Sequence, residues 1–309
     1  MFFHRAALSW PEIGLTIMHS EYRRQTIYRL LVIGFLLYLC GASMLVQASG
    51  GDGKLTIAML HLELRYADLE HNAALVQKGI ELASKHNAHW VMTPELSLTG
   101  YRFDLKLGTK WIPNGPDKYV GEVQALAKKH QLVVFLSHLE GIDDQLGKRA
   151  LFNTLFVIDK AGEIIGRHTK VNTIPISESW STAGTKPSVV NVDGYKVGLL
   201  ICADAWPSAH ANSLKSQGAE LILSSASWAP GEYGPGNTWE KRSGETGLPI
   251  FVNNRTGIDR QFDLRDAVSA IAYQGRRLLS HQSPNSQLVI VNWDTKTNSL
   301  IDAQAIDIK

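Results

Sequence analysis

From Lys54 onward, the chain alternates short apolar runs with longer amphipathic segments, and this alternation limits the folds open to it. Apolar runs of about four to eight residues are typical of buried strands, whereas apolar residues three and four apart are typical of helices that cover a sheet. In residues 67–86, Leu69, Val76 and Ile80 follow the helical spacing. No low-complexity linker interrupts the pattern. It therefore predicts one α/β domain.

The apolar runs predict strands at residues 55–60, 89–93, 132–137, 151–159, 163–168, 196–202, 221–225, 249–253, 267–273 and 287–293. The amphipathic segments between them predict helices at residues 67–86, 121–130, 207–217 and 237–247. Lys160-Ala161-Gly162-Glu163 supplies a turn between two of the runs, so residues 151–168 should form a hairpin.

Residues 1–48 differ in character from the rest of the chain. Basic residues precede an uncharged run at residues 30–46, and small residues follow it up to Ala48. These features predict a secretory signal peptide, cleaved after Ala48, and a domain at residues 49–309 in the periplasm or outside the cell. An uncleaved membrane anchor through residues 30–46 is the alternative, because the run approaches the roughly 17–25 residues that span a bilayer. A true start at Met18 also stays open.

The charge balance of the predicted mature chain bears on its partners. Four arginines and two glutamates lie in residues 1–48, which leaves 27 of the 31 basic and 27 of the 29 acidic residues. A neutral chain lacks the positive field that nucleic acid requires, so no nucleic-acid partner is expected. Cys40 leaves with the leader, and Cys202 is then the one remaining cysteine. A lone thiol in an exported protein indicates reactivity more than disulfide bonding.

Three polar residues lie at or just beyond the ends of predicted strands. Cys202 ends the run at residues 196–202, Lys170 comes after the second strand of the hairpin, and Glu95 follows the run at residues 89–93. Strand ends in α/β sheets hold side chains rigidly while solvent can still enter. We therefore expect the three side chains to meet in one site.

Together these residue types can cleave an amide. Hydrolysis of an amide needs an activated nucleophile, a proton shuttle and donors for the oxyanion. Glu95 can take the proton of the Cys202 thiol and return it to the leaving nitrogen. Lys170 and the backbone N–H of Ala203 can hold the oxyanion while Cys202 forms a thioester. Glu95, Lys170 and Cys202 are accordingly the predicted catalytic residues.

Each assignment has a structural alternative. Cys202 could be a small core residue, Glu95 could cap a turn, and Lys170 could be a solvated surface residue. A Cys–His hydrolase with His138 or His168 as the base is a further alternative. The 11 histidines are scattered without paired metal-ligand spacing, so no metal and no cofactor are expected.

The three segments together resemble the motifs of the nitrilase superfamily of carbon–nitrogen hydrolases. Pro94-Glu95 with Gly100-Tyr101 looks like the glutamate motif of that family, residues 166–170 like its lysine motif and residues 200–204 like its cysteine motif. The similarity extends over residues 55–291. It implies an α/β fold of the four-layer α-β-β-α sandwich type, catalysis by the residues at these three motifs, and a homodimer or larger homo-oligomer.

The same resemblance assigns further residues. Glu140 matches a second family glutamate, which orients the lysine. The pair Ala203-Asp204 is closer to the amidase and carbamoylase branch than to nitrile-cleaving members, which implies a small linear amide or N-carbamoyl substrate. Residues 258–264 align with nothing in the family.

Aromatic residues near the cysteine are candidates for the substrate pocket, since flat apolar walls commonly shape small-molecule sites. We expect Ala203, Trp206 and Trp228 to contact the substrate, with Trp180 as a further candidate; packing of the tryptophans in the core is the alternative. Two other functions stay open. One is acyl transfer to an amine from the same thioester, and the other is a noncatalytic binding protein of the cell envelope.

Overall fold

The computed structural model describes residues 53–309. The predicted signal peptide or anchor at residues 1–48, with Met18, Cys40 and the apolar run at residues 30–46, lies outside the described residues. Within the described part, no helix combines the length and the apolar character needed to cross a bilayer.

The described chain alternates strands and helices from its first element to its middle and then continues mainly as strands. In chain order the elements are β1 (Lys54–His61), α1 (Leu69–Lys85), β2 (Trp90–Met92), α2 (Asp104–Leu107), α3 (Lys118–His130), β3 (Val133–Asp143), β4 (Arg149–Ile158), β5 (Ile164–Thr169), β6 (Ser188–Val192), β7 (Tyr195–Ile201), α4 (Ser208–Ser216), β8 (Leu221–Ser225), α5 (Thr238–Thr246), β9 (Ile250–Asn253), β10 (Ile258–Asp259), β11 (Phe262–Asp263), β12 (Ser269–Tyr273), β13 (Arg276–His281), β14 (Gln287–Asp294) and β15 (Ser299–Asp307).

The strands form two large sheets. The first has the order β15-β14-β1-β2-β3-β4-β5, and the second has the order β13-β12-β9-β8-β7-β6. At the centre of each sheet three strands run parallel, β1 with β2 and β3 in the first and β7 with β8 and β9 in the second. The predicted hairpin is present as the antiparallel pair of β4 and β5. Strands β10 and β11 make a separate two-stranded ribbon.

Alternation along the strands divides the core into layers, because successive side chains of a strand point to opposite faces. In β1, Ile57 and Met59 join a cluster with residues of the second sheet, whereas Ala58 and Leu60 join a cluster with helices α1 and α3. Edge-to-face contact of Phe251 on β9 with Trp293 on β14 links the two sheets, their ring centroids 5.1 Å apart.

Helices α4 and α5 contribute Ala211, Leu214 and Trp239 to the cluster that contains the second sheet. The layers are thus helix, sheet, sheet and helix. This arrangement confirms the α/β sandwich expected from the sequence.

The strands absent from the sequence prediction share one property. Strands β6, β13 and β15 each lie at or beside an open edge of a sheet, and most of their side chains are partly or fully exposed. Edge strands carry polar residues and lack a continuous apolar run, so hydrophobic periodicity does not reveal them. The ribbon of β10 and β11 and the one-turn helix α2 are too short to leave a periodic signal.

Candidate active site

The candidate nucleophile lies at the carboxyl end of a central parallel strand. Cys202 directly follows β7 and opens a 3₁₀ turn over Cys202–Ala205. Its backbone adopts φ of 50°, a left-handed conformation that residues with a Cβ rarely take. Its side chain is buried, with 5% of the residue exposed. The turn bends the chain sharply at the position where the thiol is presented.

The structure brings Glu95 and Lys170 together. The Nζ atom of Lys170 lies 2.7 Å from Oε1 of Glu95, and both side chains are fully buried. The same Nζ atom lies 2.7 Å from Oε2 of Glu178, which is equally buried. One ammonium is therefore held between two carboxylates. In a buried site, the negative charge of neighbouring carboxylates is what keeps an ammonium protonated.

Neutral donors complete this network. The side-chain amide of Asn153 donates to Oε1 of Glu95 and to Oε1 of Glu178, at 2.9 Å in both cases. The backbone N–H of Ser227 donates to Oε2 of Glu95 at 3.0 Å, and that of Ile174 donates to Glu178 at 2.9 Å. Both carboxylates are thus held in fixed orientations by groups from several elements.

The electrostatics of the network favour a charged lysine and a more basic glutamate. Burial lowers the pKa of Lys170, but the charges of Glu178 and Glu95 outweigh it and raise that pKa well above its ordinary value. Burial raises the pKa of Glu95, and the charge of Lys170 offsets this only in part. A carboxylate with a raised pKa is a stronger base than one in water.

The thiol itself is poorly acidic in the resting site. Burial raises the pKa of Cys202 well above its ordinary value, and the charge of Glu95 raises it further. The charge of Lys170 and the backbone N–H of Ser227 act in the opposite direction but do not prevail. Cys202 is therefore a neutral thiol near pH 7 and needs a base to become a nucleophile.

Asp204 joins the segment that carries the cysteine to the segment that carries the lysine. Its Oδ1 accepts from the backbone N–H groups of Val171 at 2.9 Å and Asn172 at 2.7 Å. Its Oδ2 accepts from the backbone N–H of Ile201 at 3.0 Å and lies 2.8 Å from Nε2 of His168. Four partners around one buried carboxylate fix the turn after β7 against the end of β5.

A cavity of about 480 Å³ opens onto the thiol. Cys202, Ala203, Trp206 and Trp228 all line it, and contact of Ala203 and the two tryptophans with a substrate stays a prediction. The remaining lining residues are Tyr101, Ile174, Ile176, Ser177, Ser227, Ala229, Pro230, Glu232, Tyr233, Gly234 and Phe262. The residues that line this cavity and the buried network beside it form what we call the candidate active site.

Trp180 does not line this cavity. Its ring packs edge to face on Phe103, with centroids 5.0 Å apart, beside a separate small core cluster. The expectation that Trp180 lines the pocket is therefore wrong, and its ring packs in the core instead. A wider cleft of about 910 Å³ elsewhere is bordered by residues such as Glu63, Arg65 and Lys309, and neither the thiol nor the lysine network lines it.

The expected role of Glu140 is also wrong. Glu140 contacts Arg167, with Oε1 3.1 Å from Nε, and the hydroxyl of Thr154, and no contact joins it to Lys170 within residues 53–309. Strand alternation explains this: the residue before Glu140 pairs across the sheet with Asn153, so Asn153 points toward the second sheet and Glu140 points toward the helices. Glu178 occupies the position beside the lysine that was assigned to Glu140.

Sequence reasoning missed Glu178, Asn153 and Tyr101. The ring of Tyr101 lies under the Lys170 ammonium, 5.6 Å from its centroid, and its hydroxyl pairs with Ser177 at 2.9 Å. Asn153 lies on a predicted strand and Glu178 in a loop, and neither stands out by spacing. Asn153, in the polar pair Asn153-Thr154 within the mainly apolar run from Leu151 to Ile158, was the signal available for this residue.

The histidine alternatives do not contact the thiol. His138 pairs with Asp117 at 2.8 Å, and His168 pairs with Asp204 at the same distance. Each therefore has a structural partner away from Cys202. Within the part of the chain that the structure covers, no group of three or more His, Cys, Asp or Glu side chains is placed to hold a metal ion.

Comparison with known proteins gives one family. A model of the carbon-nitrogen hydrolase family matches residues 56–298. The 2-oxoglutaramate amidase of Bacillus subtilis is 28% identical over 182 residues, which is 57% of this chain and 66% of that protein. Nitrilase homolog 2 of Dictyostelium discoideum is 26% identical over 163 residues, or 50% of this chain and 48% of that protein. The chain thus spans about half to two thirds of the length of these curated relatives.

Solved structures agree on the fold. A mutant of the amidase from Nesterenkonia sp. AN1, with a covalent acetamide group at its active-site cysteine, superposes with a TM-score of 0.66. Its sequence is 21% identical, and the match covers 80% of this chain and 92% of that one. At this identity the likeness establishes the shared α/β architecture.

Proposed function

The chain belongs to the carbon-nitrogen hydrolase family, and we propose that it hydrolyses the carbon–nitrogen bond of a small linear amide or N-carbamoyl compound through a thioester on Cys202. One observation carries the proposal. A buried ammonium, Lys170, lies 2.7 Å from the carboxylate of Glu95, and both act electrostatically on a thiol that lines a cavity. Simple packing gives no reason to bury three such groups side by side.

The first half of the reaction forms the thioester. The Glu95 carboxylate takes the proton from the Cys202 thiol as Sγ attacks the carbonyl carbon of the amide. The carbonyl oxygen gains negative charge, which the Lys170 ammonium and the backbone N–H of Ala203 stabilise. Glu95 then returns the proton to the nitrogen, the C–N bond breaks, and ammonia or an amine leaves.

The second half restores the enzyme. A water molecule gives a proton to Glu95 and attacks the thioester carbonyl, passing through a second oxyanion at the same donors. The C–S bond breaks, Glu95 returns the proton to sulfur, and a carboxylic acid leaves. Because Glu95 takes up and returns one proton in each half, its raised pKa suits both roles.

The raised pKa of Cys202 supports this order of events. A thiol that is neutral in the resting site reacts only when the base beside it removes the proton during attack. Glu178 and Asn153 do not need to touch substrate. Glu178 keeps Lys170 charged, with its Oε2 2.7 Å from the Nζ atom. Asn153 holds Glu95 in position by donating to its Oε1 at 2.9 Å.

The test is intact-protein mass spectrometry during incubation with a pool of amides and N-carbamoyl compounds. The parent chain should gain an acyl mass on Cys202 and release ammonia or an amine, whereas Cys202→Ala should do neither while unfolding at the same temperature. Release of product by Cys202→Ala at the parent rate would reject the mechanism. An inert thiol toward every compound and toward iodoacetamide would favour the noncatalytic binding protein.

Product analysis separates hydrolysis from acyl transfer. With an added amine such as hydroxylamine or glycine methyl ester, a hydrolase should still release mainly the carboxylic acid. Predominant formation of the new amide at millimolar amine would identify the acyl acceptor as an amine.

We propose further that the domain acts outside the cytoplasm as a homodimer or larger homo-oligomer. The leader pattern in residues 1–48 supports export, and family membership supports assembly. Mass spectrometry of the N-terminus from the exported fraction, together with light scattering, tests both points. A chain that begins at residue 49 supports cleavage, whereas retained residues 30–46 in the membrane fraction support an anchor.

A further inference from the structure

The walls of the cavity are dominated by aromatic and aliphatic side chains. Trp206 and Trp228 meet edge to face, with ring centroids 5.6 Å apart, and Tyr101 and Phe262 do so at 5.7 Å. Ile174 and Ile176 add aliphatic surface, and Ile176 is largely exposed. Such walls stabilise apolar groups by removing them from water.

The charges around the cavity are as informative as its apolar walls. Within residues 53–309, no lysine, arginine or histidine lines it, and Glu232 is its one acidic side chain besides the buried network. Lys170 lies beneath the lining and is already paired with Glu95 and Glu178. Lys170 therefore serves the reacting carbonyl, and no cation of the described residues lines the cavity where the acyl substituent would lie.

We propose that the acyl substituent of the substrate is uncharged and apolar, either aliphatic or aromatic, and that the site rejects amides whose acyl chain ends in a carboxylate. This inference rests on the proposed function. A carboxylate in the cavity loses its hydration without gaining a cationic partner, and it faces the charge of Glu232. An aliphatic or aromatic group of the same size gains the contacts of the tryptophan and phenylalanine rings.

The selectivity is measurable with a matched pair of amides. Pentanamide and glutaramate have the same number of carbons and differ in a terminal methyl or carboxylate. The parent chain should show kcat/KM for pentanamide at least about a hundredfold above that for glutaramate, since a carboxylate without a cationic partner loses hydration among the apolar walls. Phenylacetamide should be accepted as well. Equal rates, or a preference for glutaramate, would overturn the proposal.

Charge reversal at the cavity tests its electrostatic part. Glu232→Lys should raise kcat/KM for glutaramate relative to pentanamide by about tenfold, through attraction of the terminal carboxylate. Glu163→Lys is the matched control, because Glu163 is exposed at the β4–β5 turn and changes the net charge equally. An equal shift in both variants, or none in Glu232→Lys, would remove Glu232 from the proposal.

The two levels of inference fail in different ways. Absence of turnover and of a Cys202 adduct with every amide would reject the proposed function and the substrate class with it. Turnover that depends on Cys202 but favours glutaramate would reject the substrate class and leave the hydrolase assignment intact.

Discussion

Replacing Asp204 by asparagine should destabilise the fold and reduce turnover together. The substitution keeps the size of the side chain but turns one acceptor oxygen into an NH₂ donor. Asp204 is fully buried and accepts hydrogen bonds within its own turn and from the segment after Lys170. Its pKa is lowered because hydrogen bonds and the nearby charge of His168 outweigh the effect of burial.

The expected loss follows from its four partners. If the amide nitrogen replaces Oδ2, the N–H of Ile201 is left without an acceptor and Nε2 of His168 loses its carboxylate partner. A buried unpaired donor costs about 1–3 kcal/mol. The bonds from Val171 and Asn172 change from charged to neutral acceptors, at about 1 kcal/mol each. The free energy of unfolding should therefore fall by roughly 3–5 kcal/mol.

Urea unfolding followed by tryptophan fluorescence measures this difference, and amide hydrolysis measures its effect on the site. Asp263→Asn is the matched control, because Asp263 makes the same kind of carboxylate contact with Arg265 but both side chains are more than half exposed. The control should change the free energy of unfolding by less than about 1 kcal/mol. The reasoning would be refuted if Asp204→Asn, like Asp263→Asn, kept the free energy of unfolding and the activity of the parent chain.

The pH dependence of the free energy of unfolding tests the same prediction. The pKa of Asp204 is lower in the folded state than the value of about 3.9 in an unfolded chain. Its contribution is therefore present above about pH 4 and is lost as the pH falls through the lower folded-state pKa. The stability gap between the parent chain and Asp204→Asn should narrow below about pH 4.

Three further changes probe the network and its support. Glu95→Gln should lower kcat/KM by about 10²–10⁴-fold in initial-rate assays, since the proton relay is lost; a smaller loss would assign the relay to another group. Glu178→Gln removes a charge that raises the pKa of Glu95, so the acid limb of the rate profile should move to lower pH, and an unmoved limb would contradict this coupling. Gly184→Ala should destabilise by about 1–3 kcal/mol in urea unfolding, because its Cβ would lie 2.5 Å from the carbonyl oxygen of Thr169. Its control, Gly121→Ala in helix α3, meets open space and should stabilise by about 0.5–1 kcal/mol.

The centre of the fold could be predicted from sequence because its strands are buried on both sides. Strand β8 was predicted at its observed bounds, and α1 and α3 to within a few residues, since apolar side chains mark them along their length. The edge strands β6 and β15 could not be predicted in this way, because exposed strands need no apolar run.

Some residues of the candidate site could likewise be predicted from the sequence, and others could not. Glu95, Lys170 and Cys202 were predicted as catalytic residues because each lies at or just beyond a strand end, and the structure places the Glu95 and Lys170 side chains in contact. The partner of the lysine could not be predicted, because it depends on strand register and on the path of a loop. Glu140 looked suitable in sequence, but register points it to the opposite face of the sheet from Asn153. Glu178 reaches the lysine because its loop folds back, with Ile174 donating to it.

The left-handed backbone at Cys202 sets the stability of the fold against the presence of a nucleophilic side chain at this position. Only glycine adopts such a conformation without penalty, so every side chain able to attack a carbonyl here costs the native state about 1 kcal/mol. Selection for a more heat-resistant chain would favour glycine at residue 202, but the proposed thioester mechanism requires a cysteine there. Under the proposed mechanism, stabilising substitutions must therefore lie at positions other than residue 202.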